Sequence, residues 1–265
     1  MSDILETIAK STRERVEKAK LVTPENTLRE HAFELYGARG RNCSVTFKDA
    51  LAAEGMSFIC ECKKASPSKG LIAEDFPYLD IAKDYEAAGA SAISVLTEPQ
   101  WFKGDLRFLN EISSSVKIPT LRKDFTVSPY MIYEAYLNGA SAVLLICSLL
   151  DRKTLEEYIG IASSLGLDAL VEAHDKDEVK MAVDAGAAII GVNNRDLRTF
   201  EVNASNCLRL RTDVPEGVLF VAESGIKTHE DIKILLENKV DAVLIGEALM
   251  TSSDKKAYLG KLKYG

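Results

Sequence analysis

From Phe58 onward the hydrophobic pattern switches regularly between two periods. Short apolar, β-branched runs predict strands at Phe58–Cys62, Ala92–Leu96, Ile118–Leu121 and Ala142–Ile146, then at Ala169–Val171, Ile189–Val192, Val218–Ala222 and Ala242–Ile245. Each run is followed by a segment of helical period. Several of those segments open on start signals. Ser128-Pro129 supplies an N-cap with proline at the first helical position, and Asp151 precedes Arg152–Ile159. Asp175 with Glu178, and Thr228 with Asp231, have capping-box spacing.

The chain also repeats itself. EAAGASAI at 86–93 resembles YLNGASAV at 136–143, VDAGAAII at 183–190 and LENKVDAV at 236–243. Each copy reads as a helix end, a tight turn and the next strand. Adjacent copies bracket two strand–helix units, so four copies make eight. Eight parallel strands with crossover helices predict an α/β fold, a (β/α)8 TIM barrel, rather than an open doubly wound sheet.

The residues before Phe58 follow another pattern. Leu5, Ile8, Ala9, Thr12 and Val16 form a narrow helical stripe, with Ser2 or Asp3 placed to cap it. Thr23 to Asn26 is a break, Leu28–Tyr36 a short helix, Gly37–Arg41 a loop and Thr46–Ala53 another short helix. Residues 1–45 are too few for a separate domain. The expectation is one domain over 1–265 with this segment as an N-terminal helical extension.

Composition narrows the class. Hydrophobic residues make up 46% of the chain and charged ones 28%, the balance of a soluble protein with a full core. A net charge of −7 opposes a nucleic-acid-binding surface but leaves room for a small anion in a locally basic cleft. No apolar run is long enough to span a bilayer, and residues 1–20 are charged throughout, unlike a secretory leader. A cytoplasmic location, with no membrane or nucleic-acid partner, is expected. Cys43, Cys60, Cys62, Cys147 and Cys207 are odd in number and lack C-x-x-C spacing, which predicts buried free thiols. His31, His174 and His229 are far apart, and no metal site is expected.

Candidate chemistry lies at the strand ends, where a barrel binds its ligands. Ile59, Glu61 and Lys63 share one face of the first strand, opposite Phe58, Cys60 and Cys62. The hydrogen-bonding turn Ser66-Pro67-Ser68-Lys69-Gly70 follows. By the same phase, the inward residues at other strand ends are Lys123, Glu172, Asn193, Glu223 and Gly246. Arg195, Ser224-Gly225 and Glu247 come next to them in sequence. So many polar groups on one barrel mouth should pair within a site rather than be solvated separately.

Two sub-sites can be read. Ser224, Gly225, Gly246 and Glu247 belong to the last two strand ends, the usual phosphate site of this fold, where glycines let backbone N–H groups approach. Lys63, Lys123 and Glu172 form an acid–base group, with Glu61 and Glu223 expected to keep the lysines oriented and charged. Two neighbouring ammonium groups are expected to lower each other's pKa. This is acid–base chemistry on a phosphorylated, sugar-like substrate, with a Schiff base at either lysine as the alternative.

These residues fall in ordered motifs: Glu61-x-Lys63-x-x-Ser66-Pro67-Ser68-x-Gly70, Leu121-Arg122-Lys123-Asp124-Phe125, Leu170-Val171-Glu172-Ala173-His174, Gly191-Val192-Asn193-Asn194-Arg195-Asp196-Leu197, Ala222-Glu223-Ser224-Gly225-Ile226 and Leu244-Ile245-Gly246-Glu247-Ala248-Leu249-Met250. Together they resemble the indole-3-glycerol-phosphate synthase family of tryptophan biosynthesis, over nearly the whole chain. The resemblance implies a carboxy-lyase that turns 1-(2-carboxyphenylamino)-1-deoxyribulose 5-phosphate into indole-3-glycerol phosphate, carbon dioxide and water, without a cofactor. It implies Lys123 as general acid, Glu172 as base and Lys63 as the group assisting dehydration. Glu61, Asn193 and Glu223 would hold these groups and the substrate hydroxyls. Ser66 and Arg195 would lie near the substrate carboxylate, and Ser224, Gly225, Gly246 and Glu247 at the phosphate. Family members often carry serine at the position of Glu247, which leaves only a backbone contact there.

Phe125, Phe102, Trp101, Leu144 and Ile146 are candidates for the aromatic slot, and Ser66 to Phe76 for a loop that closes over the substrate. Rival readings are phosphoribosylanthranilate isomerase, a Schiff-base aldolase and a non-catalytic phosphate-binding barrel. The isomerase would need Cys and Asp at strand ends, where this chain has Glu61 and Lys63. A mere binder has no need of clustered ionisable groups. The acidic surface and the N-terminal helices suit a monomer, with weak self-association allowed.

Overall fold

Strands that are apolar on both faces must be buried on both, between a filled interior and a layer of helices. The computed structural model, which describes residues 4–195, 202–203 and 205–265, has that arrangement. Along the chain, β1 (Ser57–Cys62) is followed by a small antiparallel hairpin of β2 (Ala65–Ser66) and β3 (Gly70–Leu71). Then come β4 (Ala92–Leu96), β5 (Thr120–Lys123), β6 (Ala142–Ile146), β7 (Asp168–Ala173), β8 (Ile189–Asn193), β9 (Leu219–Glu223) and β10 (Ala242–Ile245). β1 and β4 through β10 form a closed, all-parallel barrel in sequence order, with β10 paired back to β1. The described residues include no helix long and apolar enough to cross a membrane.

The two faces of each strand feed two separate cores. Phe58, Cys60 and Cys62 join the layer between barrel and helices, while Ile59 joins the barrel interior. Ile59, Leu121, Leu170 and Val221 come from the alternate strands β1, β5, β7 and β9 and make one interior layer. Two residues further along the same strands stand Glu61, Lys123, Glu172 and Glu223. The next layer of that series is therefore ionic.

The N-terminal segment closes the barrel's far end and covers its side. The helices α1 (Ile4–Val22), α2 (Glu25–Arg39) and α3 (Phe47–Leu51) precede β1. α1 buries Leu5, Ile8, Ala9, Thr12 and Val16, the stripe read from the sequence. α3 is capped by the Thr46 hydroxyl and sends Phe47 and Leu51 into the interior core, beside the first residues of several strands. The Lys48 amide binds the Asp168 carboxylate at the start of β7 at 2.8 Å, fixing this plug to the strand ends.

Several boundaries differ from expectation. α2 begins at Glu25, directly after Pro24, and runs through Gly37 to Arg39 instead of stopping at Tyr36. Packing against α6 (Pro129–Leu137) outweighs the modest helical penalty of one glycine, and Gly40 ends the helix at φ 73°. β5 starts at Thr120 and reaches Lys123, two residues later than predicted. Pro119 has no N–H to give, and buried Arg122 continues the strand despite its charge. Thr228 and Asp231 form a full capping box on α10 (His229–Glu237). On α8 (Lys176–Asp184) Asp175 caps Glu178, but Glu178 reaches back to the amide of His174 instead of its cap residue. Cys43 is half-buried, whereas the other four cysteines are buried free thiols. The proposed first-helix caps, Ser2 and Asp3, lie outside the described residues.

The repeat has one physical basis. Gly89, Gly139 and Gly186 adopt left-handed conformations at φ 81°, 86° and 81°, and Lys239 adopts one at 58° in the fourth copy. A β-carbon there costs about 1–2 kcal/mol, partly offset because glycine loses about 0.5–1 kcal/mol more chain entropy on folding. The Lys239 side chain is exposed and only 4.0 Å from equally exposed Glu216. Lys239→Gly should therefore stabilise the fold by about 0.5–1 kcal/mol, read as a higher denaturant midpoint at unchanged slope. A lower midpoint would contradict this account of the turn.

Candidate active site

One cavity of about 1050 Å³ opens at the C-terminal ends of the strands. Every candidate from the strand ends reaches it: Glu61, Lys63, Ser66, Lys123, Phe125 and Glu172, then Asn193, Arg195, Glu223, Ser224, Gly225, Gly246 and Glu247. Phe102, Leu144 and Ile146 also line it. Phe102 and Phe125 stand with ring centroids 6.0 Å apart and form one apolar wall. Trp101 does not line it. Its backbone is tied down by the Glu98 carboxylate, which accepts the Trp101 amide at 2.7 Å and the Phe102 amide at 3.0 Å. Asp196 and Leu197 of the motif around Asn193 lie outside the described residues.

The centre of the site is the Lys123 ammonium. It donates to Glu172 Oε2 at 3.1 Å and to Glu223 Oε2 at 2.8 Å, with 12% of its side chain exposed. Burial opposes its charge, but Glu223 and Glu172 outweigh burial and hold its pKa above the ordinary lysine value. This overturns the expectation that neighbouring ammonium groups would lower it. The carboxylates beside Lys123 dominate. Glu172 likewise stays below the usual carboxylate range: burial works against the anion, but Lys123 and then His174 hold it ionised. Glu223 goes the other way. Burial leads, Glu172 adds repulsion, and Lys123 only partly offsets them, so its pKa is pushed up to about 7.

The second lysine has its own partner. Lys63 Nζ lies 2.6 Å from Glu61 Oε1. Gly246 makes room for this pair, since a β-carbon there would sit 2.2 Å from Glu61 Oε1 and 3.0 Å from Lys63 Nζ. Its φ of −120° is ordinary, so at this position the glycine serves space rather than backbone freedom. Gly191 does the same for Glu223, whose Oε1 would lie 2.5 Å from an added β-carbon.

The remaining polar residues sit around this ionic layer. Asn193 Nδ2 donates to Glu172 Oε1 at 3.4 Å, while its Oδ1 accepts the Arg195 amide at 3.0 Å. After β9, Ser224 at φ 67° and Gly225 at φ 83° are successive left-handed residues, a strained turn at the cavity rim. After β10, α11 (Glu247–Thr251) starts at the cavity edge. Glu247 turns its carboxylate to Lys69 of the hairpin loop at 3.4 Å and to Arg195 at 3.6 Å.

Sequence reasoning missed two contributions. Ile4, Leu5 and Ile8 of α1 line the cavity, so the extension is part of the site's wall. The apolar stripe was visible, but not which surface it would meet. Arg15 of α1 also binds both oxygens of buried Asp124, at 2.8 and 2.9 Å. Asp124 accepts from Thr97 at 2.7 Å as well, and Arg122 joins it to Glu134. Burial opposes the Asp124 charge, yet Arg15 and Arg122 hold its pKa below the ordinary value. The residues on both sides of Lys123 are thus pinned by ion pairs.

The Glu223 shift has a sign that can be checked. Its folded pKa lies above its unfolded one, so the folded state binds the extra proton. Its contribution to stability is present below the unfolded value and is lost as pH rises toward about 7. In Glu223→Gln that loss is absent. The stability difference between variant and wild type should move in the variant's favour as pH is raised from about 5 to about 8, followed by urea midpoints. A difference that stays constant with pH would show that Glu223 titrates normally.

The family model described as indole-3-glycerol phosphate synthase matches residues 5–262. The indole-3-glycerol phosphate synthase of Ruminiclostridium cellulolyticum is 55% identical over 260 residues, covering 98% of each chain. That of Endomicrobium trichonymphae is 53% identical, covering 98% of this chain and 99% of the relative. Among solved structures, a 3-hexulose-6-phosphate synthase superposes with a TM-score of 0.64 at 13% identity, over 78% of this chain and 98% of that one. At that identity the likeness concerns the barrel alone.

Proposed function

The chain belongs to the indole-3-glycerol phosphate synthase family, and from that premise we propose how its own residues divide the reaction. The substrate is 1-(2-carboxyphenylamino)-1-deoxyribulose 5-phosphate, and the products are indole-3-glycerol phosphate, carbon dioxide and water. Three changes are needed: ring closure onto the C2 carbonyl, loss of the carboxylate and loss of water.

Lys123 is the general acid of ring closure. Its charge is held by Glu172 and Glu223, so it meets the carbonyl oxygen as a donor and gives its proton as that oxygen becomes an alkoxide. The ring carbon that bears the carboxylate forms the new bond to C2. Carbon dioxide then leaves, and its electron pair restores the ring. In the dehydration, Lys63 protonates the departing hydroxyl while Glu172 removes a proton from C1, the carbon next to nitrogen. Two protons are spent and one is recovered, so each turnover takes up one from solvent. Glu172, 3.1 Å from Lys123, can return the recovered proton to it.

Binding follows the same geometry. The turn Ser224-Gly225 and the chain at Gly246-Glu247 face the phosphate. The Glu247 side chain, engaged with Lys69 and Arg195, contributes its amide rather than its carboxylate. Ser66 and Arg195 lie on the side of the substrate carboxylate, and Phe102 and Phe125 wall the slot for the ring. The β2–β3 hairpin carries Lys69 and serves as the closing element. The observation that carries this reading is the Lys123 ammonium held between two carboxylates at the end of an apolar slot.

Two experiments test it. Indole fluorescence should rise when the substrate is added to wild type, and Lys123→Ala should slow that rise roughly 10²–10⁴-fold. An undiminished rise in the variant would move the acid role to Lys63. Gly246→Ala should fold normally but lose about 10²-fold in turnover, because its methyl displaces Glu61 and Lys63. Wild-type turnover in that variant would show that the Glu61–Lys63 pair is not used in the reaction.

A further inference from the structure

The ionic layer does not balance. Three buried carboxylates, Glu61, Glu172 and Glu223, face two ammonium groups, Lys63 and Lys123. An uncompensated buried charge is costly; the raised pKa of Glu223 relieves part of the excess by protonation, and a cation beside Glu172 would relieve the rest. His174 stands where one is needed. It follows Glu172 by two residues, in the same strand phase, just past the end of β7.

The imidazole lies between two carboxylates. Its Nδ1 is 3.2 Å from Glu178 Oε2, an oxygen that also accepts the His174 amide at 2.7 Å. Glu178 is itself fixed, because its amide is capped by Asp175 at 2.9 Å. The other ring nitrogen, Nε2, is buried, makes no hydrogen bond among the described residues and points at Glu172 Oε1 from 3.5 Å. An ionised carboxylate only accepts, so Nδ1 must carry a proton to bind Glu178. In a neutral ring Nε2 would then present a lone pair to the Glu172 oxygen, which is repulsive. A proton on Nε2 turns that contact into attraction.

We infer that His174 is a positioning residue for the proposed base: as an imidazolium held between Glu172 and Glu178, it keeps Glu172 ionised when Lys123 has given up its proton. The inference rests on the reading of Glu172 as base. Other neighbours agree. Asp175 is turned to the backbone of α8, Asn206 of α9 (Ser205–Arg211) holds the His174 carbonyl at 3.1 Å, and Lys123 is engaged with Glu172 through the other carboxylate oxygen. Cys147, on the short turn after β6, adds no charge, since burial pushes its thiol up to about 12. Burial opposes the imidazolium, but Glu178, Glu172 and Glu223 outweigh it and raise the His174 pKa above the ordinary histidine value.

The test is the acid limb of turnover against pH, for wild type, His174→Asn, Glu178→Gln and Glu172→Gln. Loss of the imidazolium raises the pKa of Glu172, so the acid limb of His174→Asn should move about one unit to higher pH. Its deficit relative to wild type should then be smallest near pH 8 and widen toward about tenfold down the acid limb, in the range where carboxylates titrate. Glu178→Gln should shift the limb the same way by less. An equal loss at every pH, as from a merely structural change, would overturn the inference. Wild-type turnover in Glu172→Gln would instead remove the base reading on which it rests. The ring nitrogen shifts of His174 in the wild-type chain need no variant to fold. They should show both nitrogens protonated at neutral pH, and a neutral ring would overturn the inference.

Discussion

One lysine shared by two carboxylates, inside a barrel layer that is normally apolar, constrains the rest of this molecule. Lys123, Glu172 and Glu223 are too buried to be stabilised by water, so the ammonium is tolerable only beside the two carboxylates and each carboxylate only beside the ammonium. Removing one partner leaves an unpaired buried charge. The site is therefore as much a packing problem as a chemical one. Gly191 and Gly246 are part of the solution, because their missing side chains leave the space that Glu223, Glu61 and Lys63 fill.

The fold supplies the rigidity that such a layer needs. Phe47 and Leu51 close the other end of the barrel, and four apolar residues from alternate strands form the floor beneath the ionic groups. Arg122 on the same strand and Asp124 just past its end bracket Lys123 and anchor it to Thr97, Glu134 and Arg15 of α1. The N-terminal extension is thus joined to the strand of the general acid and also walls the cavity through Ile4, Leu5 and Ile8. Ordering the strand end in advance lowers the cost of placing an ammonium within reach of a carbonyl oxygen.

Much of this was legible in the chain because barrel physics is periodic. Strand phase alone put Glu61, Lys123, Glu172 and Glu223 on the inside, and the repeated turns at Gly89, Gly139 and Gly186 counted the units. What stayed hidden depends on who meets whom. Local pattern could not say that α1 would face the cavity, that Arg15 would find Asp124, or that helix packing would carry α2 through Gly37. Nor could it give the sign of the Lys123 shift. Two lysines near each other suggest mutual repulsion, and only the distances to Glu172 and Glu223 show that attraction is larger. His174 sat inside a recognised motif without a role, since its meaning comes from Glu178, a helical turn away and facing back.

The central claim is that Lys123 remains charged through its carboxylate partners. The most direct measurement is the titration of its side-chain nitrogen in the ligand-free protein, by NMR with labelled lysine and assignment through Lys123→Arg. The account predicts an ammonium signal that persists above the ordinary lysine pKa of about 10.4. A signal that titrates well below that value would contradict it, and would mean that repulsion from Lys63, or burial alone, governs the site.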